Sequence, residues 1–410
     1  MLSKGRYIDS SALGYALSFL LLIGMVCSGA VFISSVYKRE SNSYQLDEHM
    51  LFNNYLSLKI GAQAGVSEQQ SVMHISGDTS KYSKKSWGGF EVVNAITQHK
   101  NRVVQKSVMI GSVAKKEMPC LYLPDYRQAI KLCGETKIEG DVYMSKRGFE
   151  RGHISGAPFS GDKLIYGKQL RAKKSLPNLK DRDFDILNEL KNGIDLDNLP
   201  QDSTFSFMER TTVFRSNSSA EITQNLQGNI LLFAKDSLVI KSSASLRNVL
   251  LVAPVIRFEK GFTGNVQAIA EHRIVCEERV FLKYPSTLIL NEKSGAINRD
   301  QSKIELKNNA KVLGGVLLTS EHPNYRRQVH LDVQNAFVAG LIYNQGETQF
   351  IGELVGSLYT SKLILNHGGG TYSGHLLNAK ISNRDLPKDF ALPNWFEKDK
   401  NAELKFIACI

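Results

Sequence analysis

The chain has 410 residues, 42 % hydrophobic and 22 % charged, with a formal net charge of +11. That balance excludes a disordered polar chain and, at about 150 residues per domain, leaves room for two or three domains. Five cysteines in this length exclude a disulfide-stapled scaffold, and the positive charge favours acidic partners: anionic polysaccharide, lipid headgroups or nucleic acid.

The N-terminal head and anchor take 1–40. No charged residue lies between positions 10 and 37, and 12–36 is a 25-residue run that is mostly Leu, Ile, Val, Ala and Phe. A bilayer core of about 30 Å needs about 20 helical residues, so the run predicts one transmembrane helix in contact with the lipid bilayer. Lys4 and Arg6 precede it, and Lys38 and Arg39 follow it. A short basic head before an apolar run is how exported chains begin. It predicts a single-pass protein of a bacterial inner membrane, with the rest of the chain periplasmic or outside. The rival is a signal peptide cut at Ser28-Gly29-Ala30, but the apolar run continues through Val31, Phe32 and Ile33. Gly24-Met25-Val26-Cys27 lacks the Leu and small residues that precede a lipidated cysteine.

Residues 41–124 predict a helix followed by antiparallel strands. Leu46, Met50, Tyr55, Leu58 and Ala62 recur at helical spacing and mark a packing stripe, with Gly61 and Gly65 at its end. Strand-like runs follow at 72–76, 89–97 and 103–113, the last two joined by the turn His99-Lys100-Asn101-Arg102. Residues 125–157 predict a first set of stacked strands. The region 158–202 predicts a basic, partly helical excursion across their surface. Its helix would start at Asp183 or Asp185, expose Ile186, Leu187 and Leu190 to the core, and stop at Gly193.

Residues 203–385 carry repeats. Gly228-Asn229-Ile230-Leu231-Leu232-Phe233-Ala234 returns as Arg247-Asn248-Val249-Leu250-Leu251-Val252-Ala253 and Gly264-Asn265-Val266-Gln267-Ala268-Ile269-Ala270, at offsets of 19 and 17 residues. A second short apolar run follows each copy. A glycine family joins them: Ile138-Glu139-Gly140-Asp141-Val142-Tyr143, then Gly315, Gly340, Gly356 and Gly374, each between apolar positions. Short units of this kind cannot bury their own cores and predict a β-solenoid (β-helix) with coils of about 16–19 residues, interrupted near 292–301. The tail 386–410, with Pro387, Pro393 and Trp395, is predicted to cap an open end. The fold class is therefore mainly β: a single N-terminal transmembrane helix extended into a pilin-like helix, a small antiparallel sheet, then the solenoid.

The Ile-x-Gly-x-Val-Tyr unit, in the run Cys133-Gly134-Glu135-Thr136-Lys137-Ile138-Glu139-Gly140-Asp141-Val142-Tyr143, resembles the coil repeat of bactofilins and related polymer-forming envelope proteins. The anchor with its helical extension resembles minor pilins. The whole layout is similar to envelope proteins of Bacteroidota that combine the two. Gly5 is followed by Arg6, Tyr7, Ile8 and Asp9, which departs from a prepilin cleavage site. The resemblance implies a structural or assembly role, with protein partners in an envelope machine or self-association, such as a pilus-like or secretion assembly.

Candidate chemistry is sparse. On a strand, His330 and Asp332 share a face and could act as an acid/base pair, with Arg326 and Arg327 just before them. This is the alternative reading, a glycan-binding or polysaccharide-cleaving β-helix; the plainer one is a solvated strand face. Nine histidines lack metal-ligand spacing, and no Walker, Rossmann, nucleophile-elbow or HExxH motif occurs. No enzyme activity, metal or cofactor is expected. Lys163, Lys168, Arg171, Lys173, Lys174 and Lys180 form a basic cluster within 146–180, where nine Lys/Arg face two Asp/Glu. It suits a solvated loop, lipid headgroups or anionic glycan. With only Tyr166 as a nearby aromatic it argues against nucleic acid. Cys120 and Cys133 can pair in an oxidising compartment, or serve as two small buried hydrophobes.

Overall fold

Helix α1, Ser10–Gln63, runs unbroken for 54 residues. The computed structural model describes residues 10–63, 67–74, 77–113, 118–154, 156–180, 193–293, 302–321, 329–397 and 404–410. The helix expected after Asp183 or Asp185, Gly65, and the arginines Arg326 and Arg327 lie outside the described residues. At about 1.5 Å per residue α1 is about 80 Å long. Its first half packs on no other described residues: Leu17, Phe19, Leu20, Leu22 and Phe32 are all exposed. Among the described residues it is the one helix long and apolar enough to cross a membrane.

The last turns of α1 lie on an antiparallel sheet. Met50, Leu58 and Ala62 are buried there as the stripe predicts, and Leu46 is half-buried. Tyr55 instead faces outward and meets Phe406 edge-on at 5.8 Å. Polar residues take its place because the sheet supplies partners. Asn54 Nδ2 donates to the Ala95 carbonyl at 3.0 Å, and Asn53 Nδ2 to Asp78 Oδ2 at 2.5 Å. Gly61 permits the close approach, since an added Cβ would meet Val93 Cγ1 at 2.8 Å.

The sheet is a meander of β1 (Ser67–Met73), β2 (Thr79–Trp87), β3 (Phe90–His99) and β4 (Arg102–Val113). The β3–β4 turn is the predicted hairpin. Strand β2 carries three lysines and reads as polar, yet Tyr82 and Lys84 are buried. Lys84 Nζ pairs with Glu91 at 2.9 Å and donates to the Ala62 carbonyl of α1, also at 2.9 Å, so a cation meets the negative end of the helix. The tail does not cap an end. Ala391–Leu392 and Leu404–Cys409 both pair antiparallel with β4, and Trp395 is buried beside Gly315. Its apolar side chains find more cover between sheet and stack than over a strand edge.

Most of the other strands run parallel in a hydrogen-bonded network that closes on itself. One turn has three sides: Asn225–Gly228, Ile230–Ala234 and Ser237–Ile240. Each pairs in parallel with a successive part of Ser245–Phe258, through Asn225↔Ser245, Leu231↔Leu250 and Ser237↔Val255. Along the second side the pairing climbs Val213, Leu231, Leu250, Gln267, Thr287, Gly315 and Leu341. The steps are 18, 19, 17, 20, 28 and 26 residues, so one turn exceeds the predicted length by a single residue and the last two by seven or more. The last two contain 294–301 and 322–328. The interruption expected near 292–301 does not break the stack: strands on either side of it stay paired, Glu292 with Ser320 and Lys303 with Arg273. Leu232, Leu251, Ala268, Leu288, Val316 and Ile342 point inward and belong to one continuous buried core.

Glycine sets one corner of this stack. Gly314, Gly340 and Gly356 have φ of 141°, 128° and 149°. An added Cβ would lie 2.1, 2.0 and 1.8 Å from the carbonyl oxygens of Ser286, Gly314 and Gly340 in the turn below. Only glycine allows that contact. Gly374 is not part of this corner; it opens His375–Leu377 after a hairpin, 364–373.

The order of turns is not the order of sequence. Leu358 pairs in parallel with Leu121, and Ile381 with Ile138. Segment 118–171 thus sits above the C-terminal turns, and Leu121 pairs on its other edge with Val142. The segment read as the first stacked strands lies at the far end of the stack. The opposite end begins at Ile194–Asp195, which pairs with Phe214 and Arg215.

The sheet lies against the second side. The tip Trp87-Gly88-Gly89-Phe90 presses on it: Trp87 Nε1 donates to the Asn248 carbonyl at 3.0 Å, and the Gly89 amide to Gln267 Oε1 at 3.0 Å and Thr287 Oγ1 at 3.1 Å. Leu231, Leu250, Ile269, Ile289 and Leu317 share a buried cluster with Trp87, Phe90 and Trp395.

Candidate functional site

The turns joined out of sequence bring together four tyrosines that the chain keeps far apart. Tyr343, Tyr359, Tyr122 and Tyr143 follow one another up the outer surface of the second side, with ring centroids 6.4, 5.6 and 5.8 Å apart and near-parallel planes. A side chain facing outward at one register position recurs at the same place in every turn, so like residues stack. Segment 172–180 folds back over this ladder. Tyr343 donates its hydroxyl to the Pro177 carbonyl at 2.9 Å, and Tyr122 donates to the Ser175 carbonyl at 3.2 Å. Phe396 from the tail covers the ladder's other flank, 4.9 Å from Tyr359. Between segment and tail an open cleft of about 440 Å³ remains, with Tyr359, Phe396, Leu176 and Pro177 as its apolar wall and Lys173, Asn178 and Glu397 at its rim. Burial raises the Tyr343 phenol to about 12, and the same cause raises Tyr359 well above the usual range.

The basic cluster divides across this region. Lys163, Lys168 and Arg171 belong to the last turn of the stack, whose strand Gln169–Arg171 pairs on one edge with Val142–Met144. Lys163, Lys168, Lys173 and Lys174 are exposed, and Arg171 Nε contacts Asp125 at 3.3 Å. Lys180 is elsewhere, its amide bonded to the Trp395 carbonyl at 2.8 Å. The aromatics beside the cluster are more numerous than Tyr166 alone, because Tyr122, Tyr359 and Phe396 arrive from distant segments. The signal in the sequence is an aliphatic residue before each tyrosine: Leu121-Tyr122, Val142-Tyr143, Ile342-Tyr343 and Leu358-Tyr359.

His330 and Asp332 do share one face of one strand. They sit in a lattice of opposite charges on the third side: Glu305 takes Arg273 at 2.5 Å and Lys303 at 2.9 Å, and Lys362 meets Glu347 at 2.7 Å. Gln334 donates to Asp332 Oδ2 at 2.6 Å. His330 is only 8 % exposed, and its Nδ1 and the Asp332 Oδ1 lack hydrogen-bond partners. Burial holds the imidazole below its usual range against the opposing pull of Asp332. Such a histidine is neutral and largely closed to a polymer. Cys120 and Cys133 are free thiols in separate apolar cores, so the disulfide is not formed. Burial raises Cys120 to about 12 and shifts Cys133 upward, which leaves both unreactive. Among the described residues, no three His, Cys, Asp or Glu side chains group as a metal site.

The fold and these sites define a class: a mainly parallel-β protein with one long apolar N-terminal helix. Comparison with known proteins adds no relative, since no family model, no curated protein and no solved structure matches the chain.

Proposed function

We propose that this chain is a membrane-anchored scaffold of a bacterial envelope, in which a β-solenoid is held rigidly on a pilin-like helix and docks partners of an assembly such as a pilus-like or secretion machine. The observation that carries this reading is the continuity of α1. One helix leaves an apolar half bare and locks the other half to a sheet, and the sheet is bonded to the stack. Force or position applied at the membrane end reaches the stack without a hinge in between. In this reading the apolar half spans the inner membrane and the stack lies on the periplasmic side. The basic end, with Lys163, Lys168 and Arg171, offers a surface to lipid headgroups or anionic glycan.

The test uses the full chain in cells. The protein should stay in the membrane pellet after alkaline carbonate extraction. The exposed Cys409 should react with a membrane-impermeant maleimide in spheroplasts without lysis. Photo-crosslinkers at exposed stack positions should trap discrete protein adducts. Release by carbonate, labelling of Cys409 only after lysis, or adduct-free crosslinking would each remove the reading.

A further inference from the structure

The cleft over the tyrosine ladder has a feature that its own packing does not use. Tyr343 and Tyr122, the rungs on either side of Tyr359, each spend their hydroxyl on a carbonyl of the covering segment. Tyr359 is 5 % exposed, and its hydroxyl makes no hydrogen bond among the described residues. The oxygen is not sealed in: it opens on the cleft, where solvent or a ligand can serve it. The covering segment bridges the flanking rungs and leaves this one open.

The lining indicates what would fill it. Phe396 and Leu176 present apolar surface beside the Tyr359 ring, and their neighbour Pro177 has no amide hydrogen to offer. The rim alternates a cationic donor, Lys173, with an amide, Asn178, and an anionic acceptor, Glu397. The two charges cancel, so the cleft does not select an anion. An apolar floor under a rim of mixed donors and acceptors matches a ring that has one hydrophobic face and hydroxyls around its edge. A lipid tail would leave the rim groups unpaired, and an acidic sugar would meet Glu397. We propose that this cleft binds a neutral saccharide, which stacks on Phe396, exchanges hydroxyl hydrogen bonds with Lys173, Asn178 and Glu397, and satisfies Tyr359. The proposal does not depend on how the chain is anchored.

The test is binding to the full chain, solubilised in a detergent without a sugar headgroup. N,N′-diacetylchitobiose and cellobiose are titrated by saturation-transfer NMR, with digalacturonate as the charged control. At least one neutral disaccharide should bind below about 10 mM, and digalacturonate more weakly. Tyr359→Phe keeps the ring and removes only the hydroxyl; it should weaken that binding about 3–10-fold, the worth of one hydrogen bond. Asn178→Ala, at an exposed position where folding is not at stake, should also weaken it. No binding of either neutral disaccharide overturns the proposal. So does tighter binding of digalacturonate, or an affinity unchanged in both variants.

Discussion

An alanine at Gly356 would place a methyl carbon 1.8 Å from the Gly340 carbonyl oxygen, at a φ of 149° that L side chains rarely adopt. Neither neighbour is a flexible side chain, so the turns must separate. Gly356→Ala should lower stability by about 2–4 kcal/mol, read as a shift in denaturant midpoint. Gly369→Ala, where φ is 81° but the added carbon meets open space, carries the backbone strain without the clash and should cost less, about 1 kcal/mol. At His330 the relevant variable is pH. Burial lowers its folded value below the ordinary 6.5, with Asp332, Glu347 and Glu305 opposing the shift and Lys303 adding to it. The unfolded chain therefore binds the proton more readily, and stability falls as pH drops from about 6.5 toward the folded value. His330→Gln should flatten that part of the stability profile; an unchanged slope would show that the imidazole does not carry it. The His330–Asp332 face was legible in the sequence from a spacing of two. Its burial was not, because that depends on strands and charges that other turns supply, Lys303, Glu305 and Glu347 among them.

At the scale of elements, α1 and β2 meet through Lys84. Lys84→Met would leave Glu91 buried without its cation and remove the contact to the Ala62 carbonyl. A loss of about 3–5 kcal/mol is expected by chemical denaturation, and Lys84→Met with Glu91→Leu should recover most of it. If the double variant is no better than the single, the ion pair is not what holds the junction. This element shows where sequence reading stops. The helix, β3 and β4 follow from apolar periodicity, and the repeats at 228, 247 and 264 follow from self-similarity. Strand β2 has neither signal, since its inward positions are Ser80, Tyr82 and Lys84 and only the partners Thr97, Gln70 and Glu91 make their burial tolerable. Tyr55 was misplaced for the same reason: hydrogen-bonded asparagines outcompeted an aromatic for the packed face.

For the whole molecule, both tryptophans of the chain are buried where sheet and stack meet, Trp87 at 2 % and Trp395 at 1 % exposure. Their fluorescence reports separation of the two layers, whereas far-UV circular dichroism reports loss of strands. The two signals should change together in one denaturant transition; a tryptophan shift that precedes the loss of strand signal would show that the layers part first. No short-range pattern could give the order of the turns, because Leu121 and Leu358 carry no mark that they are neighbours except a shared Leu-Tyr pair. That junction also fixes a timetable. The ribosome releases Leu121 and Ile138 long before Leu358 and Ile381, the residues they rest on. The earliest turns must wait, edge exposed, until the latest are made. A message cut short upstream of codon 358 would yield not a shorter column but a crown with no seat.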